Sequence, residues 1–163
     1  IKTGFQDLHI TKLGLFGIYP VSDPPNSFFM RATDNKKRKH ISSHLTFIIG
    51  YCAGTINTRV CEIRTNSDKE DVERTIKYYL YYGGVLRYNN IAIKSKYYKE
   101  SGGMEHERSQ KRNKSEALYL INKYHDLAKY RYKIATKSSE VILKDKREKK
   151  EFGLKVIKSY DKK

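Results

Sequence analysis

The side chains in this sequence that are best suited to chemistry are basic, and many of them are clustered. Residues 36–39 are four consecutive Lys or Arg, and a second cluster occupies residues 106–114. The whole chain of 163 residues carries 34 Lys and Arg against 18 Asp and Glu, a formal net charge of +16. Ammonium and guanidinium groups at this density bind phosphates by Coulomb attraction and by the release of condensed counterions. The composition therefore predicts a polyanion as partner, with nucleic acid as the leading class.

The excess positive charge is confined to part of the chain. Residues 1–35 have three basic and three acidic side chains, residues 36–93 have ten and five, and residues 94–163 have 21 and ten. The polyanion-binding surface is therefore expected after residue 35. Because the first segment is electrically neutral, a protein neighbour is at least as good an expectation there as RNA.

A glycine-bounded turn offers a second way to bind phosphate. Gly50 and Gly54 are four residues apart, Thr55 follows directly, and Arg59 is the next basic side chain. Glycine lets the backbone approach a phosphate closely, and the free amides at the start of a following helix can donate to it. The alternative is that these residues only connect two helices of the core.

The elements that would position these residues are predicted to be mainly α-helical. Apolar residues and capping signals predict helices over residues 43–49, 56–63 and 68–80, the last with acidic residues in its first turn and a stop at Gly83. A further short element follows before residue 93. Apolar residues recur at helical spacing over residues 116–135, which predicts another helix, expected to dock on a different protein.

Four segments follow from this pattern. We expect an irregular N-terminal arm at 1–35 with a short strand within 13–19, a helical core at 36–100, a basic RNA-contacting loop at 101–115, and a basic helical C-terminal extension at 116–163. Residues 101–115 contain one apolar side chain. Such a segment cannot pack a core and is expected to need an external partner to become ordered.

Several short motifs resemble one known family. Residues 45–55, LTFIIGYCAGT, resemble the first helix and the L-T-x-I-x-G-I-G turn of the universal small-subunit ribosomal protein thirteen family. Residues 65–78 look like the acidic start of its next helix, and residues 84–87, GVLR, are similar to its G-D-L-R motif. Gly103, His106 and Arg108 fall where its R-G-L-R-H-R-R segment should be. The resemblance covers roughly half of the chain.

The resemblance implies a helix, two turns, helix core in the head of the small ribosomal subunit, bound to its rRNA. It also implies a neighbour of the protein nineteen family, a bridge to a large-subunit protein, and a basic tail near the P-site tRNA. The frequent Ile, Lys, Asn and Tyr suggest an AT-rich coding sequence, which would suit a mitochondrial ribosome in the matrix, or a plastid ribosome as second choice. The expected RNA-binding residues are Lys36, Lys37, Arg38, Lys39, Gly50, Gly54, Thr55, Arg59, Arg87, His106, Arg108, Lys111, Arg112 and Lys114.

The 14 tyrosines include candidates for stacking on unpaired bases, since aromatic rings among basic residues serve that purpose in RNA-binding proteins. Tyr78, Tyr79, Tyr81 and Tyr82 are divided between two faces of a helix, one of which is expected to be core. The stronger candidates lie in more basic surroundings: Tyr97, Tyr98, Tyr130 and Tyr132.

Two alternatives stay open. One is a degenerate relative of the LAGLIDADG homing endonucleases. These enzymes need an acidic residue at the end of their helix to hold a divalent metal, and no Asp or Glu occurs between Asp34 and Glu62. Such a relative would bind nucleic acid without cleaving it. The other is a lineage-specific basic RNA-binding protein of a large organellar assembly.

No enzyme motif, metal-ligand set or run of apolar residues long enough for a membrane is present. We expect no catalysis, no cofactor, no metal and no membrane partner, and we expect Cys52 and Cys61 to be small buried residues.

Overall fold

The computed structural model describes residues 1–20, 40–63, 65, 68–93, 110–134 and 137–162. Within these residues the chain forms five α-helices and six β-strands. The helices are α1 (Lys2–Thr11), α2 (Arg59–Glu62), α3 (Glu70–Tyr82), α4 (Gln110–Lys123) and α5 (Leu154–Asp161). The strands are β1 (Leu15–Ile18), β2 (Ile41–Ser42), β3 (Ala53–Thr55), β4 (Leu86–Tyr88), β5 (Ala128–Lys133) and β6 (Ser138–Leu143). The protein is mixed α/β, so the prediction of a mainly α fold with a helix-two-turn-helix core is wrong.

Strand β1 lies inside a four-stranded sheet of order β2-β4-β1-β3. It runs parallel to β4 and antiparallel to β3, while β2 is antiparallel to β4. All four residues of β1 are buried, as expected for a strand covered on both faces. The short strand predicted within residues 13–19 is confirmed. The irregular arm expected around it is not, because helix α1 precedes β1 and packs on it through Leu8 and Phe16.

Helix α3 is the centre of the core. Ile76, Tyr78 and Leu80 are fully buried in it, and the acidic side chains of its first turn favour the positive end of the helix dipole. The helix ends at Gly83, which has a left-handed φ of 82° and donates its N–H to the carbonyl of Tyr79 at 2.9 Å. This glycine termination is the one predicted from the sequence, and the helix predicted over 68–80 is confirmed.

The C-terminal part folds back onto α3. Strands β5 and β6 form an antiparallel hairpin, from Ala128 opposite Leu143 to Lys133 opposite Ser138. Helix α4 packs against this hairpin, and Leu120, Tyr124 and Ile157 join the same buried cluster as the α3 side chains. The helix predicted in this region therefore packs one face on its own chain, through Ala117 and Leu120. None of the helices in the described part combines the length and apolar character needed to cross a membrane.

Residues 43–49, predicted as a helix, form neither a helix nor a strand. The N–H of Ile48 donates to Thr75 Oγ1 at 3.2 Å, and Thr75 Oγ1 lies 3.4 Å from the carbonyl oxygen of Ile48. Hydrogen bonds to α3 thus replace the bonds that a local helix would have made. A short apolar run with β-branched residues is compatible with either structure, and tertiary pairing decides between them.

The helix predicted over 116–135 stops at Lys123, and the chain enters β5 at Ala128, five residues later. From Ala128 onward apolar or aromatic residues alternate with basic ones, which is the period of a strand. The C-terminal extension is likewise only partly helical, because residues 138–143 pair as β6 and helix α5 begins at Leu154.

Candidate nucleic-acid interface

The positive charge of the described residues is concentrated in the C-terminal part. Residues 110–134 and 137–162 contain sixteen basic and seven acidic side chains, a net charge of +9. The other described residues contain seven basic and six acidic side chains, a net charge of +1. Any phosphate-binding surface among the described residues is therefore expected on α4, the β5–β6 hairpin and the segments that follow.

A cavity of about 390 Å³ lies between the first turns of α4 and the hairpin. We call it the basic groove. It has three lysines, two tyrosines and no carboxylate among its lining residues, which are Gln110, Lys111, Lys114, Tyr130, Tyr132, Lys137 and Ser139. This combination of ammonium groups and aromatic rings is the kind of surface that binds a nucleic-acid backbone and its bases.

Strand alternation builds the tyrosine wall of the basic groove. Tyr130 and Tyr132 are two residues apart in β5, so both side chains lie on the same face of the hairpin. Lys129, Arg131 and Lys133 lie on the opposite face, where Glu140 forms ion pairs with Arg131 and Lys133. The two faces of one short strand therefore differ in character: one is aromatic and faces α4, and the other is charged and faces away.

Ser139 fixes the floor of the basic groove. Its N–H donates to Asn113 Oδ1 of α4 at 3.1 Å, and its carbonyl accepts from Lys69 Nζ at 2.9 Å. Its hydroxyl lies 3.0 Å from the hydroxyl of Tyr130. Because these three contacts come from α4, from β5 and from the start of α3, the walls of the groove are held in a fixed relation.

The three groove lysines are free to meet a ligand. Lys111 and Lys114 lie three residues apart on α4, Lys137 lies in the turn directly before β6, and all three are exposed. Among the described residues none of them forms an ion pair. Other basic side chains of the C-terminal part are neutralised, as Arg147 is by Asp145 at 2.8 Å and Lys123 by Asp161 at 2.9 Å.

Two of the arginines predicted to bind RNA make contacts within the protein. Arg112 Nε lies 3.2 Å from Glu116 Oε1 and 3.6 Å from Asp68 Oδ1, so it ties α4 to the segment before α3. Arg87 donates to Asn89 Oδ1 at 2.8 Å and stacks over the ring of Tyr19 at 4.9 Å. Burial lowers the pKa of the Arg87 guanidinium from its ordinary value. These arginines are engaged in stabilising the fold.

The predicted turn residues lie elsewhere. Gly54 and Thr55 belong to strand β3, Gly50 begins a short 3-10 helix, and Arg59 is the exposed first residue of α2. The expected helix N-terminus at Thr55 is therefore wrong. A Cβ at Gly54 would come within 2.3 Å of the Phe16 ring, so this glycine is required for close packing. None of the four residues lines the basic groove.

The remaining sequence predictions are divided between the core and the undescribed segments. Lys36, Lys37, Arg38, Lys39, His106, Arg108, Tyr97 and Tyr98 lie outside the described residues. In α3, burial and a hydrogen bond to Asp145 raise the pKa of Tyr79 to about 12. Tyr78 donates to Glu62 Oε1 at 2.7 Å. Both rings are buried, so neither offers a face to a base.

Cys61 is a core thiol, as predicted. It is fully buried and points at the carbonyl of Lys77, and burial raises its pKa to about 12. Cys52 is a free thiol that is only half-buried, so the expectation of a buried residue is wrong at this position. The described residues contain no cluster of His, Cys, Asp or Glu that could hold a metal ion.

The sequence pointed to four of the seven residues that line the basic groove. Lys111, Lys114, Tyr130 and Tyr132 were candidates individually, whereas Lys137 was not singled out. The alternation of residues 128–133 would have indicated a strand whose turn brings the following lysine back toward α4.

Comparison with protein-family models, curated proteins and solved structures finds no match for this chain.

Proposed function

We propose that this chain is a non-catalytic RNA-binding constituent of a ribonucleoprotein particle and that the basic groove is one of its RNA contacts. The observation that carries the proposal is the groove itself: three exposed lysines and two tyrosines converge there, and no carboxylate lines it. Phosphate contacts by such lysines supply affinity that does not depend on base identity.

The tyrosines favour nucleic acid over other polyanions. A phosphate-rich surface without bases would need only the lysines, and an aromatic wall would add nothing to its binding. Proteins that bind unpaired RNA combine basic grooves with aromatic side chains, because every base has a face on which a ring can stack. We therefore propose RNA as the polyanion.

The particle that we propose is the small ribosomal subunit of an organelle, with mitochondria as first choice. The support is in the sequence, namely the order of the short motifs and the AT-rich character of the composition. Residues 42–55 do not form the helical core that the resemblance implied, so the proposed rRNA contact moves to the C-terminal part. The proposal does not depend on the neighbours that the family would imply.

Sedimentation with an RNA readout tests this function. The full chain, tagged in the organelle, is cross-linked to RNA by ultraviolet light and sedimented through sucrose at high salt. We expect the protein to migrate with the small subunit and its cross-links to map to small-subunit rRNA. Cross-links to RNA in another particle would refute the ribosomal part alone, and recovery without any cross-linked RNA would refute RNA binding as a whole.

A further inference from the structure

We infer that the basic groove binds one unpaired nucleotide of a single RNA strand, with its base stacked on Tyr132 and its flanking phosphates held by lysines on both walls. The inference rests on the proposed function and names the form of RNA that the same site takes. Four features of the groove support it: its size, the state of its two rings, the placement of its cations, and its rigidity.

The size of the groove suits a nucleotide. A cavity of about 390 Å³ lies at the lower end of the range of small-ligand sites, roughly 300–1,000 Å³. It can take a base and its sugar. It cannot take a duplex, whose bases are already stacked and paired inside a helix and are not available to a protein ring.

The two tyrosines of the groove differ in what they offer. Tyr130 is half-buried and its hydroxyl bonds to Ser139, so its ring is a fixed wall. Tyr132 is 49% exposed. In the described part of the chain its ring makes no aromatic contact and its hydroxyl has no partner. Tyr132 is therefore the ring that can accept a base.

The lysines that line the groove with that ring come from two different elements of the chain. Lys111 and Lys114 lie on α4, and Lys137 lies directly before β6, at the end of the hairpin where β5 and β6 connect, with a left-handed φ of 46°. A strand that crosses the groove would pass from one set of ammonium groups to the other. The phosphates before and after the stacked nucleotide would then each meet a cation, which fixes the strand without reading its sequence.

The groove is also held in shape before a ligand arrives. Asn113 and Lys69 both anchor the backbone of Ser139, so α4 and the hairpin cannot easily separate. A site that is already formed loses less conformational entropy on binding. This rigidity favours a small, defined guest over a loose contact with a large surface.

Equilibrium binding of the full chain to two RNA probes tests the inference. The first is a short unstructured strand with one 2-aminopurine, and the second is a blunt duplex of the same length. We expect the strand to bind at least tenfold more tightly than the duplex, and the 2-aminopurine fluorescence to be quenched by stacking. We expect Tyr132→Leu to weaken strand binding roughly 5-fold or more and to abolish the quenching, whereas Tyr132→Phe keeps both.

Tyr119→Leu is the matched control, because Tyr119 is a similarly exposed tyrosine on α4 that lies outside the groove. It should leave strand affinity and quenching unchanged. Equal affinity for strand and duplex, with no effect of Tyr132→Leu, would overturn the inference while RNA binding itself stands. If neither probe binds the wild-type chain, the proposed function fails as well.

Discussion

Neutralising the basic groove should lower both the affinity for RNA and its dependence on salt. The variant combines Lys111→Gln, Lys114→Gln and Lys137→Asn. The three side chains are exposed and support no described ion pair, so their removal should not disturb the fold. Asparagine is chosen at Lys137 because its φ of 46° is a conformation that Asn adopts more readily than most residues.

The size of the effect follows from counterion release. Each phosphate contact with a single strand contributes about 0.7 to the slope of log affinity against log salt, so three lost contacts should flatten the slope by about 2. At physiological salt one contact of this kind corresponds to about a 4-fold change in affinity, and three to about 50-fold, or about 2.3 kcal/mol. Loss of one or two contacts would give proportionately smaller changes.

Fluorescence anisotropy with a labelled single strand, between about 0.05 and 0.2 M salt, measures both quantities. The control variant removes the same number of exposed charges elsewhere: Lys2→Gln, Lys155→Gln and Lys158→Gln. We expect the control to lower the slope much less than the groove variant. If the two triple variants are equivalent, or if the groove variant keeps the wild-type slope, the lysines do not meet phosphate in the groove and the reasoning fails.

Three further predictions concern the fold. Gly54→Ala should lower the free energy of unfolding in urea by about 1–3 kcal/mol, because the Phe16 ring lies against both Gly4 and Gly54 and cannot move away; an unchanged midpoint would show that the ring can shift. Gly83→Ala should lower thermal stability by about 1 kcal/mol, since φ is 82° there, and Gly83→Asn should lower it less; equal losses would remove backbone strain as the cause. Burial alone would raise the pKa of Asp145, but the hydrogen bonds that its carboxylate accepts lower the pKa to about 2. The ionised carboxylate therefore stabilises the fold above about pH 4, and this contribution is lost as the pH falls toward 2. Asp145→Asn should flatten the dependence of stability on pH in this range, and an unchanged dependence in acid titrations would refute the assignment.

The parts of the fold that could be predicted are those in which local sequence is sufficient. Helix α3 has an acidic first turn, apolar residues at helical spacing and a terminal glycine, and all three signals agree. Residues 43–49 lack such agreement. Their conformation is set by hydrogen bonds between Ile48 and Thr75, which are 27 positions apart, and no local pattern contains that information.

The β5–β6 hairpin differs from the sequence prediction for another reason. The apolar residues from Ala117 to Ala128 do fit a helical period, and most of them are indeed on α4 or in the turn after it. The helical period ends with these residues, and from Ala128 onward apolar or aromatic residues alternate with basic ones, which is the period of a strand. Overlooking this change of period concealed the basic groove, since the groove exists only because the hairpin returns to lie beside α4.

The contrast between Lys111 and Arg112 shows what decides the role of a basic residue here. Both are on the first turn of α4, and both were predicted to bind RNA. Arg112 has Glu116 one helical turn later and Asp68 across the interface, so its charge is used inside the protein. Lys111 has Ser115 at the equivalent position, which cannot neutralise it. Net charge indicates the class of partner, but the positions of the carboxylates decide which cations remain available to it. In α4 part of this information is present in the sequence, because a carboxylate four residues after a basic side chain can form an ion pair with it.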